Sequence, residues 1–162
     1  MHENENNIAE NETSAIRIEH TFKQITHEDG LRVAPNAEFA GINRAPLGKE
    51  RAGTMFAELG VPANELESRS SYEEIVFIHG EPNAVIAPHI HERTPTFVLC
   101  VDGSAEVNIG DQIKSFTKSD LIDFPMGESH SLKMGPEGCL FIACSEHPVV
   151  DGDKVIDITL LP

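Results

Sequence analysis

Basic residues are scarce in this 162-residue chain, where 12 Lys and Arg stand against 27 Asp and Glu for a formal charge of −15. A surface that negative repels phosphate backbones and anionic headgroups, which argues against nucleic acid or a membrane surface as partner. Long apolar runs are missing as well. No stretch approaches the ~20 residues of a membrane span. The opening residues, Met1 to Asn7, have neither the basic start nor the apolar run of a secretory signal, so a cytoplasmic protein is expected. Cysteine occurs only as Cys100, Cys139 and Cys144, an odd number in apolar surroundings. That pattern fits reduced core thiols and not a disulfide framework. Tyrosine occurs once, as Tyr72, away from the residues singled out below, and receives no role. Repeats are absent, and the length suits one domain with a real core. Residues 1–14 are polar, acidic and aperiodic and are expected to be a disordered tail, leaving residues 15–162 as the single domain.

The chain does contain histidine in a telling arrangement. His89 and His91 flank Ile90, and a third, His130, ends the stretch that begins at Pro125 and passes through Gly127. Side chains alternate faces along a strand, so residues two apart point the same way. His89 and His91 would present two imidazoles to one interior, and a third from a neighbouring strand completes one face of a divalent ion. The opposite positions stay open, which is the layout of a catalytic site and not of a closed structural one.

The surroundings read as short strands separated by turns. Pro88 suits a strand start. Thr96–Val101 is β-prone and ends at Asp102 and Gly103. Ser104–Ile109, Gln112–Thr117, Leu121–Phe124, Ser131–Met134 and Cys139–Cys144 follow, with a loop at residues 135–138. Strands spaced this closely indicate a β-sandwich or barrel. Upstream, Glu74–Ile78, Ala15–Glu19, Thr21–Ile25 and Thr54–Leu59 look like strand material, and residues 62–66 like a helical turn. Residues 31–53, rich in proline and glycine, are expected to form a loop-rich wrap.

Pro88 to Gly103 resembles the first cupin motif, and Ser119 to His130 resembles the second, with Pro125 and Gly127 on its turn. Both occur in order at the family's spacing, and the likeness covers about residues 73–147. It implies an all-β fold: a cupin double-stranded β-helix, or jelly-roll barrel, with its core in that range and the amino-terminal strands and wrap packed outside. It also places His89, His91 and His130 on the family's three histidine ligand positions. Ser119 stands where the second motif usually has glycine, and Met134 where it often has asparagine. Thr96 occupies the position of the usual glutamate ligand. Three neutral imidazoles leave the metal's charge uncompensated, so an anionic substrate is expected. The matching positions turn Thr96, Val98 and Cys100 toward the pocket and leave Phe97, Leu99 and Val101 outside. Those three need cover, from residues 15–60 or from a second subunit, and a homodimer is the expectation.

Glu128, two residues before His130, is the candidate catalytic base at the mouth, its plainer role being a solvated charge. Glu92 and Glu106 read as exposed charges. Arg44, Lys49 and Arg51 are the nearest source of a cation for an anionic substrate, although basic loop residues usually do nothing specific. His147 reads as a surface residue. Three-histidine cupins include non-haem iron dioxygenases, so the leading expectation is an Fe(II) dioxygenase acting on a small organic acid or carbonyl compound. A redox-inert lyase or isomerase using zinc, nickel or manganese is the first alternative, and a non-catalytic small-ligand-binding module the second.

Overall fold

A computed structural model describes residues 2–27, 39–62, 72–151, 154–155 and 157–161. Among the described residues, two helices, α1 (His2–Thr26) and α2 (Lys49–Glu58), accompany ten strands: β1 (Ile42–Pro46), β2 (Glu74–Gly80), β3 (Val85–Ile90), β4 (Thr96–Ile109), β5 (Gln112–Thr117), β6 (Leu121–Phe124), β7 (His130–Ser145), β8 (Val150–Asp151), β9 (Lys154–Val155) and β10 (Thr159–Leu160). All but β8 and β9 belong to one curled sheet in the order β1-β2-β7-β3-β10, with β4 joining β7 to β5 and β6.

β7 organises this sheet. Its first half pairs with β3 on one side and with the end of β4 on the other. Its second half pairs with β2 and with the start of β4. The sheet therefore bends midway along β7, and the expected loop at residues 135–138 is continuous strand. Glycine makes the bend: Gly103 and Gly138 both have positive φ, and a Cβ on Gly103 would run into the carbonyl oxygen of Gly138. Ser119 has a φ of 76°, so the second motif's departure from glycine leaves a side chain in the left-handed region. Pro88 lies inside β3, not at its start, at the irregularity between Ile86 and His89 where a missing N–H is tolerated.

The sheet is buried on both faces. Val76, Val98, Cys139 and Phe141 point into the barrel, while their neighbours Phe77, Phe97, Leu140 and Ile142 point outward into a second cluster. The outer cluster is covered by Ile18 and Phe22 of α1 and by Ala52, Met55 and Phe56 of α2. Phe97 and Leu99, which needed cover, find it within the same chain, and Val101 packs against the same cluster.

These helices replace elements expected from the sequence. Ala15–Glu19 and Thr21–Ile25 belong to α1, as do residues 2–14, expected to be structureless. Thr54–Glu58 lies in α2, and the expected loop-rich wrap contains β1 and the start of α2, residues 31–38 lying outside the described residues. Of the proposed helical turn at 62–66, only residue 62 is described. Isoleucine, threonine and phenylalanine favour strands, but Ala15, Ile18, Phe22 and Ile25 recur at intervals of three and four, which is one face of a helix. Ala52, Met55 and Phe56 do the same in α2. The period decides, because it lets one stripe be buried.

If α1 docks in this way, its two sides differ sharply. Phe22 is buried and stacks on Phe77, whereas Ile16 is 62% exposed. Phe22→Ala should lower stability by about 3 kcal/mol and Ile16→Ala by less than about 0.5 kcal/mol, measured by urea denaturation.

Candidate metal centre

Register brings the histidines together. His89 of β3 lies directly opposite His130 of β7, and His91 follows one residue beyond the end of β3. The turn at Pro125 and Gly127 is fastened to this pair, because Gly127 N–H donates to the carbonyl of His91 at 2.9 Å. The ring centroids stand 4.2 Å apart for His89 and His130, 5.0 Å for His89 and His91, and 4.9 Å for His91 and His130. Phe124 lies flat against His130, at 4.1 Å and an interplanar angle of 2°.

Each imidazole is held by one nitrogen. Nδ1–H of His89 donates to the carbonyl of Ala87 at 2.7 Å, that of His91 to the carbonyl of Asp157 at 2.8 Å, and that of His130 to the carbonyl of Glu128 at 3.3 Å. A carbonyl oxygen can only accept, so Nδ1 carries the proton and Nε2 keeps a free lone pair. Metal-binding histidines are oriented by this same arrangement. The three ligand atoms lie within 4.8 Å of one another, near enough to close on one ion, since bonds of about 2 Å put two nitrogens of one face roughly 3 Å apart. Burial keeps the rings neutral: desolvation lowers His89 to about 4, His130 to about 3, and His91 below its ordinary value. A preformed set of neutral donors fits a divalent ion. Among the described residues, no carboxylate joins the group.

The histidines help line a cavity of about 90 Å³. Its wall is mostly apolar, with Ile86, Val98, Phe124, Leu132 and Phe141 among its members. Thr96 and Val98 are among its lining residues. Thr96 Oγ1 lies 3.0 Å from Ser145 Oγ. Cys100 points inward but is not part of the wall; its thiol is buried 3.8 Å from that of Cys139. Burial also pushes the Cys144 thiol up to about 12, and among the described residues all three cysteines are free. Glu128 meets the site only through its backbone carbonyl. Its exposed side chain lies over Gly110, away from the cavity wall, so the structure brings no catalytic base there from this residue.

Two residues of the site, Asp157 and Glu74, lay outside the reach of sequence reasoning. Asp157, 66 residues from His91 along the chain, supplies the carbonyl for that ring, and its carboxylate accepts the N–H groups of Glu92 and Arg93 at 3.0–3.2 Å. No spacing rule signals such a contact. Arg44 was a weak candidate among three cations. It lines the cavity beside Glu74, whereas Lys49 and Arg51 do not.

No family model and no curated protein matches the chain. Solved structures do. KdgF from Halomonas sp. superposes with a TM-score of 0.53 at 19% identity, over 75% of this chain and 89% of that one. The polyketide cyclase RemF from Streptomyces resistomycificus superposes with a TM-score of 0.55 at 15% identity, over 83% and 81%. Oxalate decarboxylase from Bacillus subtilis gives a TM-score of 0.49 at 22% identity over 74% of this chain, which spans only 27% of that longer protein. The chain has the cupin fold. The resemblance inferred from the two histidine motifs thus holds at the level of architecture. No helix among the described residues is long and apolar enough to cross a membrane.

Two outcomes follow for the three histidines. The protein should take up about one divalent ion per chain, and replacing His89, His91 or His130 with alanine should weaken binding at least ~10-fold, measured by metal analysis after dialysis. Undiminished occupancy in His130→Ala would refute the site. In the metal-free protein, the unfolded chain gains protons near pH 6.5 while the buried rings refuse them until about pH 4 for His89 and about 3 for His130. Stability should therefore fall as pH drops from about 6.5 to about 4, by roughly 3 kcal/mol from His89 alone. His89→Gln should flatten that part of the urea-midpoint profile.

Proposed function

We propose that this cupin is a non-haem metal-dependent oxygenase acting on a small organic acid or carbonyl compound. One observation carries the reading: three neutral imidazoles converge on the wall of a small, mostly apolar cavity that Thr96, which the motif aligns with the family's usual carboxylate ligand, also lines. His89, His91 and His130 would hold the ion through Nε2. Iron(II) there would supply one-electron chemistry with dioxygen, and three protein ligands leave positions open for both reactants. The protein's own contribution is to fix the rings through three backbone carbonyls, keep them neutral, and exclude water with Phe124, Leu132 and Phe141.

A second reading is favoured by Glu74, which places a carboxyl group on the cavity wall. A redox-inert lyase, isomerase or cyclase needs such a group to move a proton while a zinc, nickel or manganese ion polarises a carbonyl. RemF, named a polyketide cyclase, shares the fold.

Loading metal-free protein anaerobically with iron(II), and separately with zinc(II), tests the choice. The oxygenase reading expects oxygen uptake matched to loss of an acid, diketone or thiol with iron only. Equal turnover with zinc in the absence of oxygen would replace it with the second reading. Thr96→Glu should add a fourth protein ligand, tighten metal binding and cut oxygen uptake at least ~10-fold, while Thr96→Ala should leave metal content nearly unchanged.

A further inference from the structure

The cavity wall also carries a short polar row. Glu74 of β2 lies opposite Ser145 of β7, and Ser145 opposite Thr96 of β4, so three polar side chains of the cavity wall come from adjacent strands in register. Arg44 of β1 completes the row, with its Nη2 3.1 Å from Glu74 Oε1. The two charged side chains are only 11% and 12% exposed.

Such a pair is costly to bury. Removing two charges from water is repaid only when geometry is excellent and the remaining donors are satisfied, and apolar replacements of similar volume are often as stable. Here the match is incomplete. A guanidinium carries five N–H donors in a planar fork and pairs best with a carboxylate through two parallel bonds. Among the described residues, Arg44 makes one hydrogen bond, to one oxygen of Glu74. Glu74 Oε1 also accepts the N–H of Val149 at 3.4 Å, so this carboxylate is anchored from a second side and positions the arginine. Burial works against the guanidinium's charge and Glu74 works for it, so an anion entering the cavity would find a cation that is poorly hydrated and only partly neutralised.

We infer that Arg44, positioned by Glu74, is the recognition group for a carboxylate on the substrate, which is therefore a small carboxylic acid with an apolar body lying between Arg44 and the histidines. The inference rests on the cavity being the substrate site and narrows its substrate class. Arg44 would grip through the part of its fork that Glu74 leaves open, and the apolar wall would take the body of the molecule. A neutral ketone or alcohol of equal size would leave the fork unanswered.

The test uses the full chain, stripped of metal, with benzoate as probe and benzamide as its uncharged counterpart, followed by calorimetry. Wild type should bind benzoate at least ~10-fold more tightly than benzamide. Glu74→Gln removes the competing carboxylate, so benzoate affinity should rise at least ~10-fold and the probe should raise the variant's melting temperature more than it raises that of wild type. A purely structural pair would show destabilisation without that gain. The double variant Arg44→Leu/Glu74→Leu leaves no charge alone and should fold while losing the preference for benzoate. Unchanged preference in the double variant, or no gain in Glu74→Gln, would overturn the assignment. Because these measurements need no metal, a failure of iron loading or of oxygen uptake would count against the oxygenase and not against Arg44.

Discussion

β7 is the strand on which the rest of the structure depends. Sixteen residues long, it pairs along both edges with β2, β3 and β4, and shares its longest ladder with β4. Its first residue, His130, is a candidate ligand, and its last, Ser145, belongs to the polar row. One strand thus contributes to both the histidine group and the row that contains Glu74. Strand register is resistant to slippage when both faces are buried, because a shift of one residue exchanges the two faces entirely. Leu140 and Ile142 would then face the barrel, and Cys139 and Phe141 the helices.

The cavity draws its chemical character from low solvation. The same burial that keeps three imidazoles neutral also makes the Arg44–Glu74 pair unusual and the apolar wall effective. Each histidine spends its Nδ1 proton on a backbone carbonyl, leaving Nε2 for a ligand. Phe124 packed flat against His130 removes rotational freedom from a ring that has only one, rather long, hydrogen bond. Preorganisation of this kind lowers the reorganisation needed when a ligand arrives.

The helices serve the site at a distance. They cover the outward face of β2, β4 and β7 with Ile18, Phe22, Met55 and Phe56, so the strands carrying the cavity wall are packed from behind as well as from within. An apolar outer face that had suggested a second subunit is therefore accounted for inside one chain. Whether copies pair by another face is a separate matter from that cover.

The barrel and the three histidines were legible in the sequence because their signals are local. Alternation along a strand places His89 and His91 together, and Pro125 and Gly127 mark the turn before β7. Asp102 and Gly103, by contrast, were expected to end a strand but lie at an irregularity inside the continuous β4, because glycine lets the strand bend there without stopping. Helix α1 was legible in principle through the spacing of Ala15, Ile18, Phe22 and Ile25, but the β-branched residues there masked it. What only tertiary structure decided is everything that depends on register between distant strands. Asp157 meets His91 across 66 residues, Glu74 meets Arg44 across 30, and the Cys100 thiol turns to Cys139 and away from the cavity. Those contacts are set by how the sheet curls around β7, and a linear pattern of residue types holds no record of that curvature.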